Sequence, residues 1–166
     1  MTGRERLDFD PIERAGALWE KHVGESSAMR VATSVMRVQQ LLSAEFDRVL
    51  KPFDITFARY EVLRLLSFSR EGRLPLSIIG ERLMVHPTSV TNAIDRLVAS
   101  GLVARKPDDE DRRRVFASLT ADGERALLYG TKALTDIEFG LGALTKGERD
   151  QVFGALRTIR AADFEE

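Results

Sequence analysis

From Pro87 to Gly101 the chain reads PTSVTNAIDRLVASG, and its polar residues are of the types that bind base edges and phosphates. A helical repeat puts Val90, Ile94, Leu97 and Val98 on one stripe. Ser89, Asn92 and Arg96, spaced three and four apart, fall on the opposite face, with Thr88 and Thr91 beside them. Hydroxyls donate or accept, a threonine methyl meets a thymine methyl, and asparagine pairs bidentately with adenine. Short side chains at a helix start also let backbone N–H groups approach a phosphate. Pro87 suits the first helical position, where its missing N–H goes unused. The other reading is a solvated face on which serine and threonine are merely tolerated.

A second charged feature follows. Arg112, Arg113 and Arg114 come directly after the acidic run Asp108 to Asp111. Clustered arginines repel one another unless they are paired or offered an anion. One of them can enter a narrow, negative minor groove, and Asp111 can orient a neighbour through a charged hydrogen bond. The alternative is a hairpin tip of self-neutralising surface pairs. His86 fits a turn or a phosphate contact better than a metal ligand. With His22 as the only other histidine and no cysteine, no metal site, disulfide or cofactor is expected.

The elements that must position these residues follow from periodicity and caps. At 166 residues, 43% apolar and 31% charged, the chain is expected to form one domain with a sizeable core. A net charge of −1 argues against nonspecific coating of nucleic acid, while a local basic feature remains possible. No apolar run approaches the roughly 20 residues of a membrane span, and the N-terminus has no apolar signal core, so a cytoplasmic location and no membrane partner are expected. Asp10-Pro11 opens a helix to about His22, with Ile12, Ala15, Trp19 and Val23 on one face. A long helix runs from about Ser27 to Leu50. Thr56 caps the next, Arg73 to Leu76 forms a short strand, and Ser77 caps a helix of two turns. Pro87 to about Ser100 is the polar-faced helix, with Gly101 as its left-handed stop. Two strands, LVARKP and RVFASL, flank the acidic tip, with Val103, Val115, Ala117 and Leu119 facing inward. Thr120 caps a helix to about Leu144, and Thr145 begins the last one, with Val152, Leu156 and Ile159 on one face. Seven helices and one hairpin make the fold mainly α (α+β).

A short helix, a tight turn, a second helix and a hairpin make a winged helix-turn-helix, whose second helix enters the major groove. DRRRVFASLTADGE, Asp111 to Glu124, resembles the wing signature of the MarR family of bacterial transcriptional regulators. The matching positions are Asp111, Arg113, Val115, Leu119, Thr120 and Gly123. TSVTNAIDRLVASGLVAR is similar to that family's recognition helix and first wing strand. The resemblance implies a homodimeric repressor or activator that binds near-palindromic double-stranded DNA and is often switched by a small ligand. It implies a winged lobe over 55–120 within one domain spanning 1–166, with dimerisation helices over 11–50 and 121–162.

The helix bearing DPIERAGALWEKH further resembles the urate-responsive subgroup, which carries an extra N-terminal helix. In that subgroup a tryptophan, an acid and arginines bind the effector, which here implies Trp19, Glu61 and Arg105. Ala93 stands where the subgroup has its second arginine, so the ligand class implied is an anionic or aromatic metabolite. Three alternatives stay beside this. Trp19 as core, Glu61 paired with Arg64 or Arg105, and Arg105 on a phosphate all fit the residues. No nucleophile elbow, phosphate loop or metal spacing supports an enzyme. A winged-helix protein-interaction module is the competing functional class.

Overall fold

Capping side chains begin several of the helices. In a computed structural model, which describes residues 7–108 and 114–161, the Asp10 carboxylate accepts from the N–H groups of Ile12 (2.7 Å) and Glu13 (3.4 Å). Pro11 takes the first position of α1 (Pro11–His22). After a break at Gly24 comes α2 (Ser27–Leu50), closed by a 3-10 turn over Lys51–Phe53. Then follow α3 (Phe57–Ser67), β1 (Arg73–Pro75), α4 (Leu76–Leu83), α5 (Pro87–Ala99), β2 (Val103–Pro107), β3 (Val115–Leu119), α6 (Ala121–Asp136) and α7 (Lys146–Arg160). Thr145 and Glu148 cap α7 reciprocally, each side chain serving the other's backbone N–H.

Spatial contacts divide the chain into two compact units, Met1–Ala44 and Glu45–Glu166. In the first, the buried Ser26 hydroxyl donates to Glu20 Oε1 at 2.6 Å. Leu18, Trp19, Val23, Val31, Val35 and Met36 remain exposed there. The second unit holds a core built from α3, α4, α5, α6 and the sheet. Leu63, Leu66, Ile79, Ile94, Leu97, Ala117 and Leu134 are fully buried in it. Burying each of the larger side chains contributes about 1.5–3 kcal/mol, which makes α5 an anchored element and not a floating one.

The sheet is antiparallel, in the order β1-β3-β2. β3 is the central strand, with Leu74 opposite Ala117 on one side and Arg105 opposite Ala117 on the other. The hairpin is therefore flanked by the short strand before α4, and Asp108 N–H donates to Arg114 O at 2.9 Å at the end where the loop joins the two strands.

Local details depart from expectation. α6 stops at Asp136, eight residues before Leu144, because Glu138 (φ 47), Phe139 (φ 52) and Gly140 (φ 70) turn left-handed. The turn places the Phe139 ring edge-on against Phe46, 6.1 Å between centroids. α4 begins at Leu76 behind Pro75, whose extended backbone ends β1, so Ser77 lies inside the helix and caps nothing. Thr56 holds the cap position of α3 without a side-chain cap bond; the Phe57 N–H instead donates to Asp47 Oδ1 at 3.4 Å. Val98 is 37% exposed, at the edge of a stripe centred on Val90, Ile94 and Leu97.

The start of α6 is locked to the end of α5. A side chain at Gly123 would put its Cβ 2.0 Å from the Leu102 carbonyl oxygen. Gly123→Ala is expected to destabilise the chain by about 1–3 kcal/mol, since backbone and not a yielding side chain is in the way. A urea midpoint equal to wild type would refute that close approach.

Candidate nucleic-acid interface

Two residues preset α5 for contact. Pro87 fills its first position, and His86 Nδ1 accepts the Thr88 N–H at 3.2 Å. His86 is thus a helix cap, which leaves its other ring nitrogen to the outside. Val90, Ile94 and Leu97 hold the opposite stripe in the core, so Thr88, Ser89, Thr91, Asn92 and Arg96 are all presented to solvent. The Thr91 hydroxyl donates back to Pro87 O at 3.1 Å, leaving its methyl and lone pairs for a partner. Among the described residues, the side chains of Thr88, Ser89, Asn92 and Arg96 make no hydrogen bond or ion pair. A face so rich in donors and acceptors and so poor in internal partners is chemically ready for one outside.

The wing is described only in part. Asp111, Arg112 and Arg113 lie outside the described residues. Arg114 is described, 3.6 Å from Asp108 Oδ2 and 5.5 Å from the Phe116 ring centre. Arg73, which the sequence reasoning did not single out, lies over the same ring at 4.5 Å. No sequence motif marks it, because its place follows from the sheet pairing: Arg73 stands opposite Ser118, and strand alternation puts Ser118 and Phe116 on one face, away from buried Ala117. Two guanidinium groups thus share one aromatic ring on the outer face of the sheet.

The three residues implied for an effector stand apart in kind. Trp19 belongs to the first unit and is 41% exposed; Glu61 and Arg105 belong to the second. Arg105 Nη1 donates to Asp95 Oδ1 on α5 at 2.6 Å. Neither expected partner of Glu61 is taken up. Arg64 donates instead to the Thr131 hydroxyl and lies against the rings of Tyr60 and Phe68. Glu61 makes no hydrogen bond or ion pair among the described residues, and desolvation of its carboxyl raises its pKa above the usual glutamate value, although the residue as a whole is exposed.

A helix-turn-helix of α4 and α5 beside a three-stranded wing defines a winged helix-turn-helix protein. Residues 55–115 match the model of the MarR family. The chain is 50% identical to Sco5413, a MarR family transcriptional regulator from Streptomyces coelicolor, with a TM-score of 0.77 over 84% of this chain and 98% of that one. It is 33% identical over 107 residues to the HTH-type transcriptional repressor MdtR of Bacillus subtilis, covering 63% of this chain and 68% of the relative. BpsR of Bordetella bronchiseptica, whose DNA binding is regulated by 6-hydroxynicotinic acid, is 27% identical, with a TM-score of 0.69 over 78% of this chain and 98% of that one. The chain belongs to the MarR family of transcriptional regulators and is not an enzyme. No helix of the described residues is long and apolar enough to cross a membrane.

The raised pKa of Glu61 has a direction that can be measured. The folded chain holds this proton more tightly than the unfolded chain does. Its contribution to stability is therefore complete below the unfolded value, about 4.3, and is lost as pH rises through the folded value. Glu61→Gln keeps the shape and removes that loss. The stability advantage of the variant should grow with pH across this window and then level off, by a small amount because the residue is solvent-screened. Urea midpoints of both proteins against pH check this, and a constant difference would contradict it.

Proposed function

We propose that the chain is a DNA-binding repressor that works as a homodimer on a near-palindromic operator and is released by a small anionic or aromatic ligand. The observation that carries this is the unpartnered polar face of α5, from Thr88 to Arg96, on a helix whose other side is anchored in the core. Thr88, Ser89, Thr91, Asn92 and Arg96 read base edges and phosphates in the major groove, while Arg112 and Arg113 of the wing reach the adjoining minor groove. Residues 55–120 serve as the winged lobe.

Residues 11–50 and 121–162 serve as dimerisation helices. Supporting this, α7 buries none of its own residues and exposes Val152, Phe153 and Ile159, while α2 exposes Val31, Val35, Val38 and Leu41. A two-fold dimer would set two α5 helices about 34 Å apart, one DNA turn. Trp19, Glu61 and Arg105 are the residues proposed for the ligand, after the urate-responsive subgroup, with Ala93 in place of one arginine arguing against urate itself and leaving an anionic or aromatic metabolite as the class. The ligand regulation named for BpsR supports an effector of this class.

Two measurements test this reading. Sedimentation at micromolar concentration is expected to give a dimer, and only monomer would sink the two-fold arrangement. Asn92→Ala is expected to weaken binding to a selected operator by about 1–3 kcal/mol and to relax base preference at one position per half-site, as loss of a bidentate contact does. A folded variant with unchanged preference would remove Asn92 from the interface. Binding that shows no sequence preference even in the wild type, with a protein captured instead, would favour an interaction module.

A further inference from the structure

The recognition helix carries a residue that its proposed task does not explain. Asp95 lies one turn beyond Thr91 and two beyond Thr88 on the exposed side of α5, with its side chain 53% exposed. A carboxylate on a face turned towards phosphates repels them, so on charge alone Asp95 should be a liability. Its partner gives it a purpose. Arg105 lies on β2 two residues after buried Val103, and strand alternation therefore directs it to the side of the sheet that faces the core and α5. Its Nη1 meets Asp95 Oδ1 at 2.6 Å, and the Arg105 side chain is only 29% exposed. A short, partly sheltered, charge-assisted bond is stronger and more directional than an open surface pair.

We propose that Asp95 is a positioning residue of the DNA interface: its ion pair with Arg105 clamps the exposed side of α5 to the first wing strand, and sequence selectivity depends on that clamp. The proposal rests on the reading of the chain as a DNA-binding regulator. Hydrophobic burial of Val90, Ile94 and Leu97 holds α5 against the core but is non-directional. The Gly101 turn fixes only the C-terminal end of the helix. The Asp95–Arg105 bond ties its flank, midway along, and so resists rotation of α5 about its own axis. Such rotation would carry Ser89, Asn92 and Arg96 away from the base edges while leaving the general attraction to phosphates untouched. The same bond makes Asp95 the internal competitor of any anion that engages Arg105, so occupation of Arg105 by a ligand undoes the clamp.

The test uses the full chain, a duplex that the wild-type protein selects from a randomised pool, and a scrambled duplex of equal length. Affinity for both is read by fluorescence anisotropy at one fixed salt concentration. Asp95→Asn removes a negative charge from the DNA side, so electrostatics alone would tighten binding to both duplexes. The clamp predicts the opposite for the selected duplex. Its affinity falls while the scrambled affinity holds or rises, and the ratio of the two drops roughly tenfold. Asp95→Glu, which can still reach Arg105, should keep the ratio within about threefold of wild type. Arg105→Lys keeps the charge but loses the planar fork and should fall between. A merely structural role would lower the melting temperature and weaken both duplexes alike. The proposal is overturned if folded Asp95→Asn keeps or exceeds the wild-type ratio, or if Asp95→Glu loses as much as Asp95→Asn. Failure of the wild type to select any duplex overturns the DNA-binding reading itself, and this proposal with it.

Discussion

The hydroxyl of Thr120 occupies the joint on which the winged lobe depends. It donates to the Gly101 carbonyl at 2.7 Å and accepts the Gly123 N–H at 3.0 Å, while the Thr120 N–H donates to the Leu102 carbonyl at 3.1 Å. The Gly123 N–H is one of the donors that a helix start leaves without an internal partner, and each of these groups would cost about 1–3 kcal/mol if desolvated and unpaired. One residue thereby ties together the turn after α5, the end of β3 and the start of α6. The missing Cβ of Gly123 lets the Leu102 carbonyl enter, and Gly101, at φ 71, turns the chain sharply enough to bring it there. The start of α6 is thereby tied directly to the turn that follows the helix carrying Thr88 to Arg96.

Three arginines of the sheet and wing are held by acids, while Arg96 on α5 is left without an internal partner among the described residues. Arg105 is held by Asp95, Arg73 by Glu71 and the Phe116 ring, and Arg114 by Asp108 and the same ring. This reconciles a net charge of −1 with a surface suited to an anion. Each acid lowers the field that would attract phosphates indiscriminately, and the most open of these pairs, Arg73–Glu71, is weak enough to be exchanged for a better partner. Under the proposed function, selectivity comes from the polar residues of α5, whose value depends on position. That is why a directional tether on the flank of α5 carries more weight than one more cation would.

What was legible in the sequence was what local physics decides. Asp10-Pro11, Gly101, Thr120 and Thr145 each mark a helix boundary by their own chemistry, and the 3.6 period of α5 separates Val90, Ile94 and Leu97 from the polar face. What was not legible depends on residues far apart. The early end of α6 rests on left-handed backbone at Glu138 and Phe139, residue types that do not announce it, and on a Phe46 ring over ninety positions earlier that receives Phe139. Arg105 offered the sequence several partners. Asp95, ten residues back across a helix–strand junction, lies outside both the helical i, i+4 rule and strand alternation. The flanking strand β1 made Arg73 part of the wing surface, a consequence of sheet order and not of any motif.

The outer helices pose a stability question that the winged lobe does not. α7 is well begun, with a reciprocal cap and a cationic last turn, but it is fifteen residues long and buries none of them. A helix of about that length is marginal in water without tertiary packing. Its apolar residues Val152, Leu156 and Ile159 share a face, and Phe153 lies beside them, so the missing packing is specific to one side. α2 shows the same imbalance along its first half, with Val31, Val35, Met36 and Val38 exposed while Phe46 and Leu50, in its last turns, are buried. A surface of this kind on a chain whose other half has a complete core needs an apolar partner of matching length. In the proposed homodimer a second copy related by a two-fold axis would supply one without any further component, because each copy would bring both the surface and its complement.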